Sequence, residues 1–281
     1  MKKRLLSITT AMILSQQVMA EPELTQKISN LPGVESIVFD ENKNVYFTSL
    51  QAGNEKDDGS IIALNSKYEF IATIVNGLDN PKGICIKGEL LYIADMTDLV
   101  EVNLRSGTVI KHHVESAEFL NDVAIDKSGN VYISDMFTSE IYKFSDNKVS
   151  KWMDSPELEN PNGLLFIGDD LYIAAWGYFN KNNPMEAPFG RVLKVNPKTK
   201  VITAITEEPL GNLDGLQLDN KGQLIVSDWK QGVIYSVSME GEAQKIIDLP
   251  RGPGDIYYSK KENKLLIPMA IDGEILSLTE W

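Results

Sequence analysis

The chain has a single cysteine, Cys85, so no internal disulfide can form and no stapled small-domain scaffold is available to it. Lying in the apolar run "GICIK", Cys85 reads as a core residue without activating neighbours, which makes it a poor nucleophile. Histidine is almost as scarce. Both copies, His112 and His113, are adjacent on an expected outer strand, where neighbours face opposite sides and cannot pair on one metal. No basic run or stripe follows the first few residues, and the chain carries a net charge of −13, so nucleic acid is excluded as a partner. Glycine-rich phosphate loops and serine-hydrolase elbows are missing. So is any amphipathic stretch of helical length, which excludes a stack of βαβ units.

Long apolar runs are missing too, except at the N-terminus. There "MKKR" precedes "LLSITTAMIL" and "VMA", with small residues at Val18 and Ala20. This is the pattern of a secretory signal peptide, residues 1–20, cut after Ala20; the run is too short to anchor the mature protein in a bilayer. Removal of Lys2, Lys3 and Arg4 takes the net charge of residues 21–281 to −16. A periplasmic or secreted location is expected, with no membrane attachment after cleavage.

What is present is a repeat. "PGVESIVFDENKNVYFTS" from Pro32 is echoed by "NPKGICIKGELLYIADM" from Asn80 and "FLNDVAIDKSGNVYISDM" from Phe119. It returns as "NPNGLLFIGDDLYIAAW" from Asn160, "NLDGLQLDNKGQLIVSDW" from Asn212 and, more weakly, "GPGDIYYSKKENKLLIPMA" from Gly252. The six units are spaced roughly 40 to 50 residues apart, the period of propeller blades. Strand-like segments such as "SEIYKFSDN" and "GVIYSVSMEG" fill the intervals, giving four strands per unit. The expectation is a single all-β domain over residues 21–281, a six-bladed β-propeller of antiparallel strands. The last unit lacks a fourth strand, and "ELTQKISNLPG" near the N-terminus resembles the fourth strand of the unit before it. That segment is expected to complete the final blade and remove two free sheet edges.

The last polar residue before each inner strand is, in order, Glu35, Lys82, Asn121, Asn162 and Asp214, with Gly254 in the sixth unit. Propeller symmetry gathers these positions at one mouth of the central channel. Glu35, Asn121, Asn162 and Asp214 all offer oxygen, the donor set of Ca²⁺ or another hard cation such as Mg²⁺ or Mn²⁺. A wet channel mouth lined by polar residues is the plainer alternative, with Asn and Asp making local Asx-turns and Lys82 balancing the two carboxylates. Asp95, Asp135 and Asp228, at the ends of second strands, are expected to cap the following turns.

The pattern "GVESIVFD … FLNDVAID … NPNGLLFI … NLDGLQLD" resembles the senescence marker protein and gluconolactonase family of six-bladed propellers, related to paraoxonases. The resemblance implies a divalent metal cation, Ca²⁺ first and Mg²⁺, Mn²⁺ or Zn²⁺ as alternatives, held by Glu35, Asn162 and Asp214. It implies that Asn121 contacts substrate or, as in paraoxonase-like members, the metal. Sugar-lactone members typically carry Arg where this chain has Phe119, which leaves a less polar ester or lactone as the small-molecule substrate. Asp214 is the candidate general base and Lys82 a candidate for stabilising an oxyanion or binding a carboxylate.

Two long loops open on the same face, "QAGNEKDDG" and "GYFNKNNPMEAPFG". The second is expected to form an apolar lid from Tyr178, Phe179, Met185 and Phe189, with Tyr178 and Phe179 on the substrate. The leading reading is a metal-dependent hydrolase of lactones or related esters. Its alternative is a non-catalytic propeller that binds a ligand or a protein.

Overall fold

The computed structural model describes residues 22–53, 55–178 and 183–279; the expected signal segment lies outside them. Six four-stranded antiparallel sheets follow one another along the chain. Short 3₁₀ turns at Pro156–Leu158 and Pro184–Glu186 are the helical elements among the described residues. The inner strands of the six blades are Val34–Asp40, Pro81–Lys87, Leu120–Ile125, Pro161–Ile167, Leu213–Leu218 and Tyr257–Ser259. The ring closes as the sequence predicts. The strand Glu23–Ser29 pairs antiparallel with Glu274–Thr279 and supplies the outer strand of the last blade.

Each blade alternates apolar residues on both of its faces, because both are covered by neighbours. The result is one apolar layer per blade interface. Between blades two and three, Tyr92, Leu99, Leu120, Ile133 and Tyr142 pack together. Blades three and four are joined through Tyr132, Ile141, Leu164 and Ile173. The closing interface holds Leu31, Tyr46, Leu266 and Ile275. Cys85 joins the layer between blades two and three from a half-buried position, and burial pushes its thiol well above its ordinary range. It is a packing residue, as the sequence implies.

One irregularity recurs. In blades one to five the inner strand slips register against the second strand at the same place: between Val34 and Ile37, Pro81 and Ile84, Leu120 and Val123, Pro161 and Leu164, and Leu213 and Leu216. The two residues skipped by the ladder are the channel-mouth residue and its successor. A bulge of this kind bends the strand and re-aims side chains. Here it turns Glu35, Lys82, Asn121, Asn162 and Asp214 away from the sheet.

In blades one, three and five the N–H released by the bulge is satisfied by a serine of the second strand. Ser49, Ser134 and Ser227 Oγ accept from the N–H of Ser36, Asp122 and Gly215 at 3.1, 2.9 and 2.8 Å. Two of these hydroxyls also reach the next blade, Ser134 donating to Asn162 O at 2.7 Å and Ser227 to Gly254 O at 2.8 Å. In blades two and four the equivalent positions are Ala94 and Ala174.

Candidate active site

Glu35, Asn121, Asn162 and Asp214 line one cavity of about 220 Å³ at the channel mouth. All four are at most 5 % exposed. Bulges aim them, and close blade contact holds them. A Cβ on Gly163, the residue after Asn162, would stand 2.1 Å from Asp214 O, and one on Gly83 would stand 2.0 Å from Asp122 Oδ1. Glycine at these positions lets successive inner strands approach, which explains the "NPKG" and "NPNG" endings.

The electrostatics are those of crowded, buried carboxylates. Asn162 Nδ2 donates to Asp214 Oδ2 at 3.1 Å. Glu35 Oε2 is buried and has no hydrogen-bond partner. Burial first, and then repulsion from Asp214, raise Glu35 well above the usual carboxylate range, against the opposing pull of Lys82. Asp214 is pushed up to about 7, by burial and then by Asp255, with Lys82 and Asn162 opposing. Lys82 Nζ donates to Gln51 Oε1 at 3.1 Å and lies 5.2 Å from the centre of the Phe119 ring.

Two carboxylates escaped the sequence reading. Asp122, buried, and Asp255, half-buried, follow the ring residues of blades three and six. Asp122 accepts from Leu164 N at 2.6 Å, tying blade three to blade four, and Asp255 accepts from Ser36 Oγ at 2.7 Å, tying blade six to blade one. Burial raises both, Asp255 to about 7, and repulsion from Asp255 adds to the rise of Asp122. The sequence holds a clue: "FLND" and "GPGD" carry Asp where three of the other units have Gly and the first has Ser36.

The donor chemistry fits a hard cation. Among the described residues no group of three or more Asp, Glu, His or Cys is placed to hold a metal. The candidate donors are instead two carboxylates and two amides, and the unpartnered Glu35 oxygen is the kind of buried acceptor that a cation satisfies.

The walls are apolar. Phe119 and Phe137 stack at 4.6 Å, Trp176 and Trp229 sit 5.9 Å apart, and Met136 and Met185 fill between. Phe119 and Met185 are where the sequence puts them. Tyr178 is not: it is 48 % exposed and is not among the described lining residues, as is true of Phe189. Between Trp176 and Tyr178 stands Gly177, at φ +99°, where a Cβ would come within 2.2 Å of Pro188 O. Phe179 lies outside the described residues. Gln51, Trp176 and Trp229, which the sequence reading passed over, hold the inward places.

Of the outlying aspartates, Asp228 and Asp135 cap the turns that follow them and Asp95 does not, and the two histidines lie away from the site. Asp228 caps its turn by accepting from Lys230 and Gln231 N. Asp135 accepts from Phe137 and Thr138 N and, beyond the expectation, from Glu118 and Phe119 N, which fixes the approach to Asn121. Asp95 instead accepts from Asp79 and Asn80 N, ahead of the inner strand. His112 and His113 lie on the outer strand of blade two, His113 beside Asp98. A larger groove of about 500 Å³ lies between blades three and four, where Asp126 is taken up by the N–H of Ser128 and Asn130.

No curated protein matches the chain in sequence. Among solved structures, a gluconolactonase from Xanthomonas campestris superposes with a TM-score of 0.71 at 12% identity, covering 93% of this chain and 95% of that one. A catalytically inactive histidine-to-alanine variant of virginiamycin B lyase from Staphylococcus aureus, solved with quinupristin, gives 0.65 at 12% identity, over 92% and 99%. These likenesses establish the fold. The sequence model of the SMP-30/gluconolactonase/LRE-like region matches residues 86–268, and the chain belongs to that family of lactonase-like propellers.

Proposed function

We propose that the protein is a metal-dependent hydrolase of lactones or related esters, acting in the periplasm or outside the cell after loss of residues 1–20. The observation that carries the reading is the buried quartet Glu35, Asn121, Asn162 and Asp214 on one cavity, with Glu35 Oε2 unpartnered. These four residues would hold the cation, Ca²⁺ in the first instance. Bound there, a hard divalent ion supplies Lewis-acid polarisation of a carbonyl and a lower pKa for water.

The chain's own groups do the rest. Asp214, whose surroundings favour its protonated form more than an ordinary carboxylate's do, takes a proton from water as its oxygen adds to the carbonyl carbon. Asn121 orients the carbonyl. Lys82 faces the charge that develops on the carbonyl oxygen as the tetrahedral species forms. The bond to the leaving oxygen then breaks, that oxygen receives the proton held by Asp214, and the carboxylic acid formed releases its remaining proton to solvent to leave a carboxylate. The aromatic walls keep bulk water out.

A lyase chemistry like that of the staphylococcal neighbour is not favoured. That enzyme is inactive when a histidine becomes alanine, and both histidines of this chain are on an outer strand. A metal-free binding pocket is the second reading, and Lys82 favours it, because its charge already offsets Glu35 and Asp214.

Elemental mass spectrometry of the purified mature protein, with Glu35→Gln and Asp214→Asn alongside, tests the proposal together with turnover of lactones and esters. One bound cation per chain, lost in both variants with activity, is the expected result. No cation, and no turnover with Ca²⁺, Mg²⁺, Mn²⁺ or Zn²⁺ supplied, overturns it.

A further inference from the structure

Six apolar clusters account for the six blade interfaces, yet the described residues contain a seventh. Met136, Trp176 and Ala187 are its buried members, and Phe119, Phe137 and Trp229 pack on it half-buried. It belongs to no blade interface. It covers the channel mouth, and every one of its residues except Ala187 faces the cavity that holds the oxygen quartet.

We infer that this cluster selects the substrate: the site takes a lactone or ester bearing an apolar, aromatic substituent and rejects polyhydroxylated sugar lactones. The inference rests on the hydrolase reading and narrows it. Outside the quartet, the polar side chains among the described lining residues are Gln51 and Lys82, and these are bonded to each other. Asn121 Nδ2 is directed at Met136 Sδ, 3.4 Å away. A sugar lactone carries a hydroxyl on nearly every ring carbon. Each hydroxyl lodged among Phe, Trp and Met would lose its water partners and find at most an indole N–H in exchange. A flat ring loses nothing by entering. The Phe119–Phe137 stack, with 14° between planes, presents an aromatic face, and the Trp176–Trp229 pair, tilted by 49°, presents faces and edges. Specificity arises here from the polar groups that the wall does not offer.

The test uses the mature protein with its cation restored and three small molecules: γ-phenyl-γ-butyrolactone, glucono-δ-lactone, and 5-phenyl-2-pyrrolidinone, a lactam of the first shape that resists hydrolysis. The expected result is a kcat/KM for the phenyl lactone at least ~100-fold above that for the sugar lactone, the scale set by several unpartnered hydroxyls. Trp229→Ala is expected to raise KM for the phenyl lactone about tenfold, with Trp229→Phe recovering most of it. Calorimetry with the lactam separates the two layers of the argument. Lactam binding without hydrolysis of any lactone supports the apolar pocket and overturns the hydrolase reading. Faster turnover of glucono-δ-lactone overturns the aromatic selectivity and leaves the hydrolase reading standing. Neither binding nor turnover overturns both.

Discussion

The amide of Asn162 reaches across from blade four to blade five and donates to Asp214 Oδ2 at 3.1 Å. This bond settles the orientation of the amide: its nitrogen is spent on the neighbour, so its oxygen is the atom left to coordinate or to accept. It also partly offsets the cost of burying Asp214 among other carboxylates.

Replacing Asp214 by Asn therefore separates chemistry from stability. The variant is expected to lose at least ~100-fold in kcat/KM, the usual contribution of a positioned base. Its metal-free form is expected to melt no lower than the parent, because a crowded buried charge has been removed. Paired kinetics and thermal melts in chelator check both halves, and a large drop in melting temperature would contradict the second.

The pH dependence of the metal-free protein follows from four carboxyls. Glu35, Asp122, Asp214 and Asp255 are all raised in the folded state, chiefly by burial, Asp214 and Asp255 to about 7. In the unfolded chain they release protons near pH 4. Between about pH 4 and 7 the folded protein thus binds more protons, and its stability falls as pH rises through that window. Asp95, Asp135 and Asp228, also raised by burial, act in the same direction. Melting in chelator is expected to be higher at pH 5 than at pH 8, by roughly 5 °C or more, with millimolar Ca²⁺ closing the gap at pH 8. A rise in melting temperature from pH 5 to pH 8 in chelator would refute this.

Lys82→Met asks whether the ring's own cation competes with a metal. Lys82 opposes the raised affinity of Glu35 and Asp214 for protons. Without it, cation affinity is expected to rise about tenfold by calorimetry, while the metal-free protein loses stability at pH 8. Unchanged or weakened cation binding would show that Lys82 supports the site instead of competing for it.

Ser134→Ala probes the clamp behind Asn162. The hydroxyl accepts from Asp122 N and donates to Asn162 O, all within the buried interface of blades three and four. Its loss strands two backbone groups and is expected to cost about 1–3 kcal/mol in chemical denaturation. Ser134→Thr, which keeps the hydroxyl, is expected to cost less.

The architecture was legible because its determinants are local. Alternating strands, the turn at Gly168–Asp169 and the recurring ring residue each lie within a single unit of the repeat. The walls were not legible. Trp176 and Trp229 occupy corresponding places just past the second strands of blades four and five, and only blade packing sets them 5.9 Å apart. Asp122 and Asp255 are 133 residues apart in the sequence; what joins them is the channel. Tyr178 is the opposite case: its side chain suits a lid, yet it stands 48 % exposed beyond Gly177, whose positive φ no pattern of apolar residues announces.

The first described strand and the last are partners, Glu23 lying opposite Thr279. Their pairing spans nearly the entire chain, so the loop it closes is the longest and entropically the slowest contact to form. Each blade can assemble from contiguous sequence, but the latch waits for both ends. Until it shuts, Glu274–Thr279 is an open sheet edge of the kind that a second copy's Glu23–Ser29 fits, so the latch that completes the ring is also its exposed edge during folding.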